Sequence, residues 1–401
     1  MRIVTMSRQL LHTPEGVRDI YNEECEKKYL LQEELHHLLC RYGYHPIQTP
    51  TFEFFDIFGR ETGTTPSRDL YKFFDREGNT LVLRPDITPS IARCAAKYFG
   101  EEDMPIRLSY MGNTFINNSS YQGRLKESTQ LGAELLGDSS VDADAEMIAI
   151  VVACLRAAGL KEFQLGVGHA DFFGGLVETA GLNEEQREEL RELISNKNYY
   201  GVEEFVEPLH LEESLQRLFG MLGKLYNEPG DLWEVKECAK AYPRIKGAIL
   251  RLEELYELLE AYEVSRYVSI ELGTISEHQY YTGILFAGYT FGTGEAIVKG
   301  GRYDRLLTYF GKESASIGFA IVIDQLMAAL ARQGIELSPE HDTLLIVYEK
   351  TKEKKIEAIR RAKEQRAAGR TVELIARDAS KTSADYEAYA KRNHIVEIRF
   401  L

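Results

Sequence analysis

Two carboxylates in this chain stand close to uncharged polar residues. Thr88 follows Asp86 by two positions, and Gln130 precedes Glu134 by four. Tyr280 and Tyr281 add flat walls and hydroxyls, and Arg124 adds a cation. A carboxylate suits an ammonium group, and amides, carboxyls and hydroxyls match a ligand that offers both donors and acceptors. Each could meet a small polar ligand, and the residues alone leave an internal salt bridge or polar network at least as open. Gln130 and Glu134 fall on alternate positions of an extended segment and share a face. Tyr280 and Tyr281 are adjacent, and as strand residues they would point to opposite faces, so at most one would face a pocket squarely.

Other candidates read as architecture. His169, in VGHADFF, has no second histidine at metal spacing and reads as a structural histidine. Asp142-Ala143-Asp144 lacks a following Gly/Thr-rich phosphate loop and reads as helix capping. Gly300-Gly301 reads as a tight turn before a helix, because a lone glycine pair is weak evidence for a phosphate cradle. None of the five cysteines sits in a C-x-x-C pair. That argues for free thiols in a reducing compartment, and against a disulfide framework or a zinc site.

These residues need elements to carry them. Ile20, Leu30, Leu31, Leu35, Leu38 and Leu39, amid Glu, Lys and Gln, predict an amphipathic helix over residues 20–41. Residues 44–52 read as extended, and 70–74 with 80–83 read as a hairpin about a polar turn. A helix follows over 89–99, with Pro89 near its start. Strands are expected at 106–115 and 128–136, a helix at 142–158 and a strand at 162–168. Residues 183–262 read as an almost wholly helical insertion. Strands then return between 268 and 297 and at 317–323, before a closing helix at 324–333. A sheet, a helical insertion and a returning sheet give an α+β domain on an antiparallel sheet over residues 1–333. Residues 342–401 alternate β-α-β-α-β, a small α/β domain.

The chain is 401 residues long, with 44% hydrophobic and 28% charged residues, as expected of a globular protein. The longest purely apolar run, 147–155, is too short to span a bilayer, and the N-terminus lacks a signal-peptide apolar core. A cytoplasmic protein is expected. Net charge is −15. Residues 342–401 carry 14 Lys and Arg against 10 Asp and Glu, a net of +4, which leaves −19 on residues 1–341. The shift supports a boundary near 337–342, and the acidic bulk argues against a nucleic-acid partner.

Five segments then occur in a telling order: Thr13-Pro14-Glu15-Gly16-Val17-Arg18-Asp19, Leu83-Arg84-Pro85-Asp86-Ile87-Thr88, Tyr280-Tyr281-Thr282-Gly283, Gly300-Gly301-Arg302-Tyr303-Asp304 and Ile317-Gly318-Phe319-Ala320. Together they resemble the motifs of the histidyl-tRNA synthetase group across residues 11–333. The resemblance implies a class II aminoacyl-tRNA synthetase-like core. It implies that Asp86 meets an amino acid's ammonium, with Thr88 orienting Asp86. It further implies that Gln130 and Glu134 meet the amino acid or its ring, beside Tyr280 and Tyr281. Arg124 or backbone N–H groups would hold the ligand's carboxylate.

The departures carry as much information. Where the group places an arginine and a glutamate in its second motif, this chain has Ile116 and Asn118. A second arginine position falls near Ser276, and a third is Gln325. Adenylation needs fixed cations around a triphosphate that carries about four negative charges. Their loss at three points predicts a chain that does not form an adenylate.

The stretches LYKFFDREGNTLVLRPDITPSIAR and VGHADFFGGLVETAGL resemble the regulatory-subunit family of ATP phosphoribosyltransferase in particular. The tail resembles a truncated anticodon-binding domain. This resemblance implies a non-catalytic subunit with no cofactor and no metal. It implies that the short-form ATP phosphoribosyltransferase catalytic subunit is the partner, that histidine is the effector, and that a homodimer sits within a hetero-oligomer. It implies neither tRNA nor membrane binding.

Overall fold

The computed structural model describes residues 11–59, 65–100, 104–118, 125–275, 280–338 and 342–401. It divides into two compact units, Met1–Glu336 and Leu337–Leu401. In chain order the strands of the first unit are β1 (His45–Pro46), β2 (Phe52–Phe54), β3 (Lys72–Phe74), β4 (Thr80–Leu83), β5 (Ile106–Phe115), β6 (Glu127–Leu136), β7 (Phe163–His169), β8 (Leu225–Tyr226), β9 (Val268–Glu271), β10 (Ile284–Thr290), β11 (Val298–Arg302) and β12 (Ser316–Val322). Nine of them form one sheet in the order β1-β5-β6-β12-β11-β10-β7-β9-β8, and β2-β4-β3 form a small separate sheet.

The large sheet is antiparallel except at two contacts. β1 lies parallel to β5, and β7 lies parallel to β9. The second contact follows from the insertion between β7 and β9, because a long crossover allows a parallel return. The insertion carries the helices Glu184–Ser195, Tyr199–Val206, Glu213–Gly220, Trp233–Ala239 and Pro243–Ala261. It is not purely helical, since β8 leaves it to pair with β9 at the sheet edge.

Local chemistry explains the main helices. Asn22–Arg41 buries Leu31, Leu35, Leu38 and Leu39 on one face, with Glu23 and Glu24 in its first turn and Arg41 in its last. Those charges complement the helix dipole. Val141–Ala157 lies between β12 and the helix Pro243–Ala261, which accounts for its burial on nearly every side. Its cap is Ser140, whose hydroxyl accepts from the Ala143 N–H at 3.2 Å. Asp144 is therefore not a cap. It is fully buried and ion-paired to Arg302 and Arg251.

Gly300-Gly301 also departs from expectation. Both lie inside β11, opposite Phe319 and Gly318 of β12, and not in a turn before a helix. A Cβ at Gly300 would strike the Phe286 ring, and one at Gly301 would sit 2.6 Å from the Ile284 carbonyl oxygen. The pair marks a close approach of neighbouring strands.

In the second unit, β13 (Thr343–Tyr348), β14 (Thr371–Ala376) and β15 (Glu397–Phe400) form a parallel sheet in the order β14-β13-β15. Ala358 and Ala362, from the helix Lys352–Ala367, pack on one face with Leu344 and Ile346. Tyr386 and Ala390, from the helix Ser383–Arg392, pack on the other face with Leu345 and Val347.

Candidate functional site

Glu134 sits in the middle of β6, between Leu108 of β5 and Gly318 of β12. It is 1% exposed. Its Oε1 accepts from the Thr88 hydroxyl at 2.8 Å, and its Oε2 accepts from the Tyr303 hydroxyl. Only glycine fits opposite: a Cβ at Gly318 would collide with Oε2. Gly132 plays the matching part for Tyr110, whose hydroxyl donates to the Phe319 carbonyl at 3.4 Å.

Burial pushes the Glu134 carboxyl up to about 8. The Tyr303 and Thr88 hydroxyls stabilise its charge only in part, and Asp86 nearby opposes ionisation. The group therefore holds a proton near neutral pH. A buried carboxylic acid of that kind keeps its proton against a base whose own pKa lies near 6.5 and can donate a hydrogen bond to it, as to a neutral imidazole nitrogen.

Asp86 stands just before the helix Thr88–Tyr98. Its Oδ1 accepts from the backbone N–H of Ile87 at 2.7 Å and of Thr88 at 3.3 Å, and its Oδ2 faces the Tyr280 hydroxyl at 3.5 Å. Thr88 thus reaches Asp86 through its backbone and Glu134 through its side chain. Tyr280 and Tyr281 precede β10, which begins at Ile284, so strand alternation does not govern them. Both rings turn into one aromatic cluster, with centroids 4.8 Å apart. Tyr280 also meets Tyr303 edge-on at 5.8 Å.

Gln130 lies on the same strand as Glu134, four residues earlier. Its Oε1 is buried and, among the described residues, has no hydrogen-bond partner. Asp86, Thr88, Glu134, Tyr280 and Tyr281 are joined by direct or one-step contacts, whereas among the described residues Gln130 Oε1 forms no hydrogen bond to any of them. Arg124 and Ser276 lie outside the described residues. Tyr303 carries a role that sequence reasoning did not assign. It was visible within Gly300–Asp304, but nothing local marks a tyrosine whose partner lies on a distant strand.

Two of the three positions where the synthetase group places arginines lie among the described residues. Ile116 is partly exposed and donates its N–H to the Lys126 carbonyl at 2.9 Å. Gln325 lies half-buried on the helix Ile323–Arg332. Its neighbour Asp324 accepts from Lys28 at 2.8 Å and from the Thr129 N–H at 2.6 Å. Arg84 is buried and spends its donors on the carbonyls of Asn113, Thr49 and Pro50. Arg18 is paired with Glu24 at 2.5 Å. Arg84 is thus committed to the fold, while the Arg18–Glu24 pair lies at the surface.

His169 caps the helix Ala170–Thr179, its Nδ1 accepting from the Asp171 N–H at 3.1 Å. Burial lowers its pKa to about 4. It serves the architecture. Among the described residues no His, Cys, Asp or Glu cluster could hold a metal, and no helix is long and apolar enough to cross a membrane.

Residues 16–326 match the family model for histidyl-tRNA synthetase. The chain is similar to the ATP phosphoribosyltransferase regulatory subunit of Acetivibrio thermocellus, 40% identical over 348 residues, covering 86% of this chain and 82% of the relative. The subunit of the same name from Clostridium kluyveri is 34% identical over 396 residues, covering 96% and 98%. Among solved structures, an ATP phosphoribosyltransferase regulatory subunit/histidyl-tRNA synthetase from Bacillus halodurans superposes with a TM-score of 0.84 at 32% identity, covering 98% of each chain. A histidyl-tRNA synthetase from a Nostoc species shares the fold with a TM-score of 0.78 at 20% identity.

Proposed function

The chain belongs to the ATP phosphoribosyltransferase regulatory-subunit family, built on a histidyl-tRNA synthetase-like core, and from that premise we propose that it activates a short-form catalytic subunit and binds free histidine as the feedback signal. The chain itself performs no catalysis in this reading, and the phosphoribosyl transfer belongs to its partner. A homodimer of the chain forms the regulatory part of the hetero-oligomer, located in the cytoplasm and without tRNA.

The observation that carries the reading is the buried, unpartnered Oε1 of Gln130. A buried acceptor left unmet costs ~1–3 kcal/mol. A donor group of the ligand meets that acceptor, and the Asp86 carboxylate receives the ligand's ammonium. The amino acid's ring then lies toward Glu134, whose proton is available to an imidazole nitrogen. The aromatic rings of Tyr280 and Tyr281 flank it, and Thr88 and Tyr303 hold Glu134 in place. Arg124 takes the ligand's carboxylate. Histidine is distinguished from other amino acids because its side chain alone pairs a ring with a base in that pKa range.

Calorimetric titration with histidine and with the other free amino acids tests the ligand. Activity of the catalytic subunit, with and without this chain and with and without histidine, tests the regulation. The reading fails if histidine gives no heat, or if the chain neither activates the partner nor makes it sensitive to histidine. Histidine-dependent pyrophosphate exchange would instead support a synthetase, and the replaced arginines predict none.

A further inference from the structure

Arg302 ends β11 one residue before Tyr303, the donor to Glu134. Its Nε donates to Asp144 Oδ1 at 2.8 Å, its Nη1 to the Asp138 carbonyl at 2.8 Å and its Nη2 to the Ser140 carbonyl at 3.2 Å. The Arg302 carbonyl accepts from the Thr282 N–H at 2.8 Å, which ties it to the residue after Tyr281. The second oxygen of Asp144 accepts from Arg251 Nε at 2.9 Å and Nη2 at 2.6 Å. Arg251 belongs to the helix Pro243–Ala261, the last helix of the insertion. Asp144 is 0% exposed, Arg302 5% and Arg251 26%. One buried carboxylate therefore bridges a cation behind the ligand pocket and a cation on the insertion.

A cavity of about 430 Å³ adjoins this bridge. Its walls include Gly247 and Arg251 of the helix, and Thr282, Gly283 and Arg302 at the strand ends. A close-packed contact admits one arrangement. The helix buries Ile245, Ile249 and Leu252 against its neighbours, so room for a second arrangement lies only where Gly247 and Arg251 face this cavity.

We propose that Asp144, Arg302 and Arg251 are positioning residues that link occupancy at Glu134 to the placement of the helix Pro243–Ala261, so that the helical insertion is the output element of this regulator. A ring that engages Glu134 shifts its carboxyl, and Tyr303, which donates to that carboxyl, follows. Tyr303 and Arg302 are consecutive, so a shift in one moves the guanidinium that orients Asp144, and Arg251 follows the carboxylate. The inference rests on histidine binding as read above.

The test is hydrogen exchange of the full chain, with and without saturating histidine. Helix 243–261 should change its exchange rates at least fivefold, the low end of common allosteric coupling. Arg251→Gln keeps the Asp144–Arg302 pair and should hold histidine affinity within about threefold of wild type, while the histidine-linked change in the helix drops below about twofold. Arg251→Lys, which keeps the charge, should restore at least half of that change. A purely structural role for Arg251 would lower the melting temperature and leave the histidine-linked change intact, which overturns the proposal. A wild-type helix indifferent to bound histidine overturns it as well. Absence of histidine binding in calorimetry refutes the ligand reading itself, and is thereby told apart from failure of the link.

Discussion

Glu134→Gln should stabilise this protein at neutral pH while removing its effector response. In the folded chain the Glu134 pKa is raised to about 8, from 4.5. The folded state therefore retains a proton that the unfolded state releases between those values, and stability from this group is lost as pH rises from 4.5 to 8. At pH 7 the gap from 4.5 is 2.5 pH units, which at 1.36 kcal/mol each amounts to about 3 kcal/mol. Glutamine keeps the shape and never ionises. The hydroxyls of Thr88 and Tyr303 must now share one oxygen and one NH2 group, and the poorer fit costs about 1 kcal/mol. The net gain is about 2 kcal/mol at pH 7, close to nothing at pH 5 and larger at pH 8. Urea melts of both proteins at pH 5, 7 and 8, at one protein concentration, measure it. Parallel pH dependences, or a variant less stable than wild type at pH 8, would refute the account of Glu134 as a buried, protonated acid. Histidine affinity of the same variant should fall about tenfold, because an amide N–H is a weaker donor to an imidazole nitrogen than a carboxylic acid O–H.

Further expectations concern single positions. Gln130→Leu should raise stability by up to about 1 kcal/mol by removing an unmet buried acceptor, and should weaken histidine binding about tenfold, read by urea melts and calorimetry. Asp144→Asn leaves two guanidiniums without their buried countercharge and should cost about 3–5 kcal/mol in the same melts. Gly318→Ala should abolish histidine binding and lower the melting temperature, since its methyl group displaces the Glu134 carboxylate from the Tyr303 hydroxyl. Ser140→Ala removes the cap of Val141–Ala157 and should cost about 1 kcal/mol with histidine affinity unchanged.

Segments whose local chemistry agrees with their final environment were readable in advance. The strands Ile106–Phe115 and Glu127–Leu136 and the helix Val141–Ala157 fall within a residue of expectation, because apolar pattern and turn residues point the same way. The misreadings share a cause. Asp144 looks like a cap because its partner Arg302 is 158 positions away. Gly300 and Gly301 look like a turn because nothing local announces the Phe286 ring beside them. Tyr280 and Tyr281 were given strand geometry that starts only at Ile284. The two-residue β8 is too short to carry a period. At the site, the polar residues were visible as candidates, and the proton on Glu134 was not. Burial causes that proton, and burial is a property of the assembled sheet.

The strand order has a consequence for how the protein is made. β6 carries Glu134 and is flanked by β5 and β12. β5 leaves the ribosome just before β6, but β12 emerges only after the whole insertion and three further strands. Until then one edge of a ten-residue strand stands unpaired, with Leu131, Ala133 and Leu135 on it. Open edges of that kind invite wrong partners. A truncated product therefore lacks the strand whose Gly318 faces Glu134, and it carries an open strand edge of the kind that chaperones and proteases can recognise.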